Sequence, residues 1–313
     1  MTRLTVAIPT FRRPDALNAA LESAVPQAQA IGAQIAGVEA DILIIDNDPD
    51  ASARSLAENW PVRYVHEPIP GIAAVRNRAL DESTGVDAIV FIDDDEVPEH
   101  GWLAALTDRY LTTGADAVAG RVVTIFPDET EPWVRASGAF VRPRRVDGQM
   151  MPEAATNNLL LDLANVRRNG LRFDAAFGLT GGSDSLFTAR LVAAGGIIRW
   201  CEDAVVIERE DPVRFTKRWV LMRTFRFGNT WSRVRIALAT SPVRRAGWRA
   251  RAALTGIVRV AQGALLWAAG TIGRSAARRA RALRTIYRGA GNVAGAVGYA
   301  HDEYGRRRRA MGL

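Results

Sequence analysis

The chain reads as an α/β protein built on a doubly wound sheet. Three observations predict this. Apolar runs of strand length recur at 4–11, 40–48, 61–67 and 87–95. Stretches with helical spacing lie at 14–30 and 72–83. The first, second and fourth apolar runs end in polar or acidic residues. Strands separated by helices imply right-handed βαβ units, and in such sheets ligands bind beyond the carboxyl ends of the strands.

Each element has its own signal. LTVAIPTF (4–11) is a buried strand that runs into Pro9. From Pro14 to about Ala30, Leu17, Leu21 and Val25 share one helical face. ADILIIDND (40–48) is a continuous apolar run of the parallel-sheet kind, and PVRYVHE (61–67) a shorter third strand. IAAVRNRALDES (72–83) is a helix, and DAIVFIDDD (87–95) a fourth strand. Thr10, Asp46 and the aspartates at 93–95 therefore gather at one edge.

Composition bounds what the protein can be. Its 313 residues suffice for a large core, and 48% hydrophobic with 24% charged residues describes a globular chain. Cys201 is the single cysteine, which excludes an intrachain disulfide framework and fits a reducing compartment. MTRLTVAIPTF lacks the long apolar region of a signal peptide, which predicts a protein kept in the cytoplasm. The formal charge of +7 conceals an asymmetry. From 232 to 313, seventeen arginines face only Asp302 and Glu303, while the first 231 residues are net acidic. No G-x-G-x-x-G follows the first strand, which argues against a dinucleotide enzyme. His66, His100 and His301 are too scattered for a zinc site or a histidine triad.

VFIDDDEVPEHGW (90–102) poses the chemical question. Clustered acids raise one another's pKa unless something neutralises them. A solvated turn is one answer. The other is a hard cation, Mg²⁺ or Mn²⁺, which takes one or two carboxylates together with substrate phosphates and can neutralise a leaving diphosphate. On an extended segment Asp93 and Asp95 point to the same side, and their place after the fourth strand favours the metal.

At this point the chain resembles the family 2 glycosyltransferases. The matching segments are VAIPTFRRP (6–14), IIDNDPD (44–50), GIAAVRN (71–77), IDDDE (92–96) and GLTGGSDSLF (178–187), in the family's order across residues 3 to about 230. The resemblance implies a GT-A fold, a Rossmann-like nucleotide-binding half joined to an acceptor-binding half, and inverting transfer from a nucleotide-diphosphate sugar, most often a UDP-sugar. It places Pro9, Thr10, Phe11 and Asp46 at the nucleoside, with Asp46 accepting a hydrogen bond from the base. Arg76 would hold the base or the diphosphate, and Asp94 would sit near the ribose. Asp93 and Asp95 would form the family's Asp-x-Asp, with Asp95 on the metal. Asp46 as a turn former and Arg76 as a surface charge are the plain alternatives.

In GLTGGSDSLF, Asp184 begins a helical pattern and could simply cap it. The family reads Gly-Gly-Glu-Asp here, and its aspartate is the general base that takes the acceptor hydroxyl proton. Ser183 stands where the glutamate would be, which retains the base and alters its neighbour. WCEDAVVIERE (200–210) resembles the strand that supplies a metal-binding histidine. Glu208 stands there instead, as an oxygen ligand or as a structural partner for an arginine. Arg223 and Arg226, in the helical stretch 214–231, suit a diphosphate or a solvated face equally.

The expected domains are a glycosyltransferase domain over 1–231, with a nucleotide-sugar half to 120 and an acceptor half from 121, and an arginine-rich helical extension over 232–313. Residues 252–273 are long enough to cross a bilayer, although Arg259 and Gln262 interrupt them. In 274–288, Ala276, Ala280, Leu283 and Tyr287 form a stripe opposite Arg274, Arg278, Arg281 and Arg288, the pattern of a helix on an anionic membrane. The expected location is the cytoplasmic face of the inner membrane, peripheral or monotopic, with a nucleotide sugar and a glycan or lipid-linked acceptor as partners. A soluble helical cap is the alternative for the tail, and RRRR at 306–309 reads as a solvated end. A metal-dependent nucleotidyl- or phosphotransferase would use the same sheet. Nucleic-acid binding through the tail is disfavoured by its few aromatics and the acidic remainder of the chain.

Overall fold

A computed structural model of the chain describes residues 1–209 and 212–301; the arginines at 306–309 lie outside the described residues. In chain order the elements are β1 (Thr2–Thr10), α1 (Pro14–Gln34), β2 (Val38–Asp46), α2 (Arg54–Ala57), β3 (Arg63–His66), α3 (Ile72–Asp81), β4 (Ala88–Phe91) and β5 (Glu96–Pro98). There follow α4 (Trp102–Thr113), β6 (Ala117–Thr124), α5 (Pro132–Ser137), β7 (Met150–Met151), β8 (Leu159–Asp162), α6 (Leu163–Arg168) and α7 (Ser183–Ala193). The chain continues with β9 (Ile198–Glu208), α8 (Lys217–Ala237), α9 (Pro242–Ile272) and α10 (Ala276–Ala296).

Residues 1–125, 142–179 and 183–209 form one compact unit, and 126–141, 180–182 and 212–301 another. The boundary expected at 231 falls inside α8, which belongs with the tail helices.

The first unit is a sheet of order β3-β2-β1-β4-β8-β6-β9-β5, with β7 added on β9. β3, β2, β1 and β4 run parallel, as the alternating pattern predicts. β8 then enters antiparallel between β4 and β6, so the sheet is mixed. The inserted strand is short, LLLD, too brief to distinguish from a helical turn by periodicity. Leu17, Leu21 and Val25 of α1 are buried on one sheet face with Ile8, Ile44 and Trp102. The other face holds Val75, Leu161 and Leu191 with the ring series Phe91, Phe173 and Phe187. Pro9 pairs with Ile45 of β2 and lies past the last β1–β4 pair, so its missing N–H breaks no bond on that side.

The fourth strand is shorter than the sequence suggests. It stops at Phe91, and Asp94 and Asp95 lie in a turn. The Asp93 N–H donates to Glu96 Oε2 at 3.0 Å, which closes that turn. Alternation along an extended segment is therefore not what arranges the aspartates.

The second unit is helical. α8, α9 and α10 approach through glycine. A Cβ on Gly256 would lie 2.6 Å from the Gly289 carbonyl oxygen, and one on Gly291 would overlap the Phe225 carbonyl. The stripe expected to face a membrane from the last helix is largely turned inward: Ala280 is buried, Leu283 and Tyr287 are half-buried, and Ala276 alone is exposed. Gly291→Ala should therefore destabilise this helical unit by about 1–3 kcal/mol, as overpacking does. Gly247→Ala, whose added carbon meets nothing within 4 Å, should stabilise it by about 1 kcal/mol. Denaturant titration followed by far-ultraviolet circular dichroism reads both.

Candidate active site

Within the first unit, the carboxyl ends of β1, β2 and β4 converge with α3 and the start of α7. The acids after β4 are held by the loop after β1. Asp94, almost fully buried, accepts from Thr10 Oγ1 at 2.9 Å and from the Phe11 N–H at 3.4 Å. Arg13, immediately before α1, donates through Nη1 to Asp94 Oδ1 at 3.1 Å and to Asp95 Oδ2 at 2.7 Å. The reading of the sequence missed Arg13. Its signal was the pair of arginines in FRRP, at the strand end where the acids gather.

Burial, with the mutual repulsion of the acids, sets their proton affinity. Burial pushes Asp93 up to about 7, with Arg76 acting against it and Asp95, Asp94 and Glu208 adding to it. Burial likewise pushes Asp94 up to about 6, opposed by Arg13. Glu96, buried between β5 and β9, is held well above the ordinary carboxyl range by desolvation and by Asp93. It accepts from Asn157 Nδ2 at 2.8 Å. Glu96 showed in the sequence only as one more acid after the fourth strand, and Asn157 carried no signal, because burial of Glu96 follows from β5 pairing with β9.

Asp46 is fully buried, and both oxygens are engaged. Oδ1 accepts from the Asp48 N–H at 2.9 Å, and Oδ2 accepts from the Ala53 N–H at 2.8 Å and the Tyr64 hydroxyl at 3.1 Å. This geometry is that of the turn former weighed against a base-binding role. The next residue ties the loop to its neighbour: Asn47 donates to the carbonyls of Glu67 and Ile69, both at 2.7 Å, and accepts from the Gly71 N–H at 3.1 Å. Gly71 has φ +115°, and a side chain there would press on the Gly178 carbonyl at 3.2 Å.

Arg76, on α3, is buried. Its guanidinium lies 5.7 Å from the centre of the Phe173 ring, and Nη1 donates to Ser183 Oγ at 3.3 Å. Its Nε is buried without a partner. The surface-charge alternative for Arg76 is thus excluded. Asp184 is the second residue of α7 rather than its cap, in the first turn where the helix dipole favours a carboxylate. Its Oδ1 accepts from the Ser185 N–H at 2.8 Å, and the side chain is half-exposed. Gly181 and Gly182 precede it with φ of 74° and 92°, a backbone that glycine adopts without strain.

Glu208 ends β9 opposite Glu96. Arg142 Nη2 donates to both its oxygens at 3.0 and 3.1 Å, and Thr124 Oγ1 donates to Oε2 at 2.5 Å. The structure thus realises the ion-pair alternative for this residue. Among the described residues no group of three or more His, Cys, Asp or Glu side chains is arranged to hold a metal. Asp93 and Asp95 still offer the hard oxygen donors that Mg²⁺ or Mn²⁺ takes when phosphates and water complete its shell. The raised proton affinity of Asp93 also marks a place where positive charge is favourable.

Arg223 and Arg226 belong to the helical unit. Arg223 lies 4.8 Å from the centre of the Phe140 ring and 5.1 Å from that of Trp219, and Arg226 lies 5.5 Å from Trp219.

The chain is similar to known proteins. The sequence pattern described as Glycosyl transferase family 2 matches residues 5–166. The succinoglycan biosynthesis protein ExoM of Rhizobium meliloti (strain 1021) is 34% identical over 318 residues, covering 97% of this chain and 96% of its own. Among solved structures, the mannosyltransferase PcManGT of Pyrobaculum calidifontis, in complex with GDP-Man and Mn²⁺, superposes with a TM-score of 0.62 at 18% identity, over 93% of this chain and 86% of that one. S. aureus TarS 1–349 in complex with UDP-GlcNAc gives 0.52 at 13% identity, over 96% and 93%. With the pattern spanning half the chain and a relative matching nearly all of it, the protein belongs to glycosyltransferase family 2 and has the GT-A fold.

Proposed function

We propose that the protein transfers a hexosyl group, with inversion, from a nucleotide-diphosphate sugar to a lipid-linked glycan in the synthesis of a surface polysaccharide. The observation that carries this reading is the convergence in one unit of the Arg13-bridged acids with the Arg76, Ser183 and Asp184 group. The complexes of PcManGT with GDP-Man and of TarS with UDP-GlcNAc support a nucleotide-sugar donor, with uridine as the base we favour. The ExoM relationship supports the polysaccharide context.

Asp93 and Asp95 would hold Mg²⁺ or Mn²⁺, which supplies positive charge to a leaving diphosphate. Asp94, fixed by Thr10 and the Phe11 N–H, shapes the nucleoside side together with Pro9 and Phe11. Asp46 acts one step back, by holding the turn that positions Asn47 and the loop to Gly71. Arg76 offers a desolvated guanidinium whose Nε has no protein partner, suited to a diphosphate oxygen. Arg223 and Arg226, in the helical unit, are guanidinium groups whose planar fork suits a phosphate. Asp184 accepts the proton of the attacking hydroxyl as the new glycosidic bond forms and the bond to the diphosphate breaks. Glu208, engaged by Arg142 and Thr124, braces the acids from behind. The expected location is the cytoplasmic face of the inner membrane.

Three outcomes test this. A panel of nucleotide sugars with membrane lipid extract and Mn²⁺ should show diphosphate release from one donor, lost in Asp95→Asn; silence across the panel with no donor raising the melting temperature removes the reading. Asp184→Asn should lower turnover about 10²–10⁴-fold, the usual worth of a general base, with donor affinity in calorimetry unchanged. The third test is pH. Asp93 binds its proton more tightly folded than unfolded, so it stabilises the fold at low pH, and that contribution fades as pH rises from 4 through 7. In chelator, denaturant titrations of wild type should therefore lose stability relative to Asp93→Asn across that window, and Mn²⁺ at pH 7.5 should reverse the loss.

A further inference from the structure

We infer that the outer face of α9 is a membrane-docking surface that lies in the plane of an anionic leaflet. The inference extends the membrane-face location above, and it names the surface and its orientation.

α9 runs from Pro242 to Ile272 and is, among the described residues, the one helix long and apolar enough to cross a membrane by length and composition. One side packs on α10 through Gly256, Gly263 and Gly270. The opposite side is uncovered within this unit. Val243, Leu254, Ile257, Leu265 and Ile272 share it, with Leu265 72% and Ile272 86% exposed. The positions between them on that face include alanine and glycine, and no charge interrupts it from end to end. Arg259, the charge that breaks the apolar stretch in the sequence, points the other way. Its Nη1 donates to Asn292 Oδ1 at 2.6 Å, and its guanidinium lies 5.9 Å from the Trp231 ring centre.

The charge around this face selects its occupant. Residues 232–301 contain thirteen arginines and no aspartate or glutamate. Arg244, Arg249 and Arg251 are exposed at one end of the helix, and Arg274 at the other. A second copy of the chain would bring the same positive field against this one, whereas anionic headgroups complement it. The pairing of the helices then sets the orientation. Gly270 meets Arg279, Gly263 meets Ala282 and Ile286, and Gly256 meets Gly289, so α10 runs antiparallel beside the whole apolar stretch. Arg278, Arg281 and Arg288 of α10 are exposed along it. A crossing α9 would carry these arginines into hydrocarbon, whereas an α9 lying flat leaves them at or above the headgroups.

The test uses the full chain and vesicles of phosphatidylcholine with or without phosphatidylglycerol. Wild type should co-sediment with the anionic vesicles and release at high salt, and Leu254→Glu/Leu265→Glu should weaken partitioning at least tenfold with an unchanged melting temperature. An environment-sensitive dye on Leu265→Cys should shift to the blue on binding, while the same dye on Arg281→Cys stays aqueous; Cys201 is buried and does not compete for label. Unchanged partitioning of the double variant, both dyes in hydrocarbon, or a dimer of wild type that the double variant makes monomeric would overturn the inference. Vesicle binding needs no nucleotide sugar, so its failure leaves the transferase reading standing.

Discussion

The site depends on how positive charge is rationed among clustered acids. Asp93, Asp94, Asp95 and Glu96 follow one another after β4, and the β5–β9 pairing adds Glu208. Left alone, such a corner would be uncharged or unfolded, because each carboxylate opposes the ionisation of the next. Arg13 takes Asp94 and Asp95, and Arg142 takes Glu208. Asp93 has no hydrogen-bonded guanidinium among the described residues and is balanced at a distance by the charges of Arg76 and Arg13. Of the three aspartates, Asp93 therefore gains most from an added cation.

The same economy explains Ser183. The family resemblance puts a glutamate before the aspartate proposed as the base, and a carboxylate at 183 would compete with Asp93 for Arg76. A serine hydroxyl satisfies one nitrogen of that arginine at 3.3 Å without cancelling its charge. Arg76 consequently serves the acid cluster on one side and stands next to Asp184 on the other. Its buried, unpartnered Nε costs stability in the empty chain, roughly 1–3 kcal/mol for a buried polar group. A ligand oxygen that met it would recover that cost in the bound state.

The parts of this arrangement legible in the sequence were those fixed by local pattern. Strands β1 to β4 and helices α1 and α3 carry continuous apolar runs or helical spacing, and the acids at their ends announce a site edge. What the pattern could not carry was pairing between distant segments. Arg13 was visible only as one of two basic residues after a strand, and its contact with Asp94 and Asp95 spans more than eighty positions. Glu96 looked like part of an acidic turn until β5 paired with β9. Asp46 was ambiguous for the opposite reason, since a turn former and a base-binding acid share the same residue type and place. In the tail, spacing found an apolar stripe on α10, but only its burial in the folded chain shows that most of the stripe faces inward.

Those contacts decide what the tail can do in a membrane. Length and mean hydropathy allow α9 to span, and the inward turn of Arg259 removes the obvious objection to it. The obstacle comes from the partner helix. Packing through Gly256, Gly263 and Gly270 holds α10 close against α9, and substituting these glycines would drive a Cβ into the backbone or side chains of α10. Carrying exposed Arg281 and Arg288 to the bilayer centre costs about 2.5–3.5 kcal/mol each on insertion scales. Lying flat, the pair keeps these two arginines out of hydrocarbon, leaves the exposed arginines at the ends of α9 for the headgroups, worth about 1 kcal/mol for each one near an anionic surface, and still buries Leu254, Ile257 and Leu265. For the docking inferred above, the close glycine packing of the two helices is therefore what weighs against a span and favours the surface.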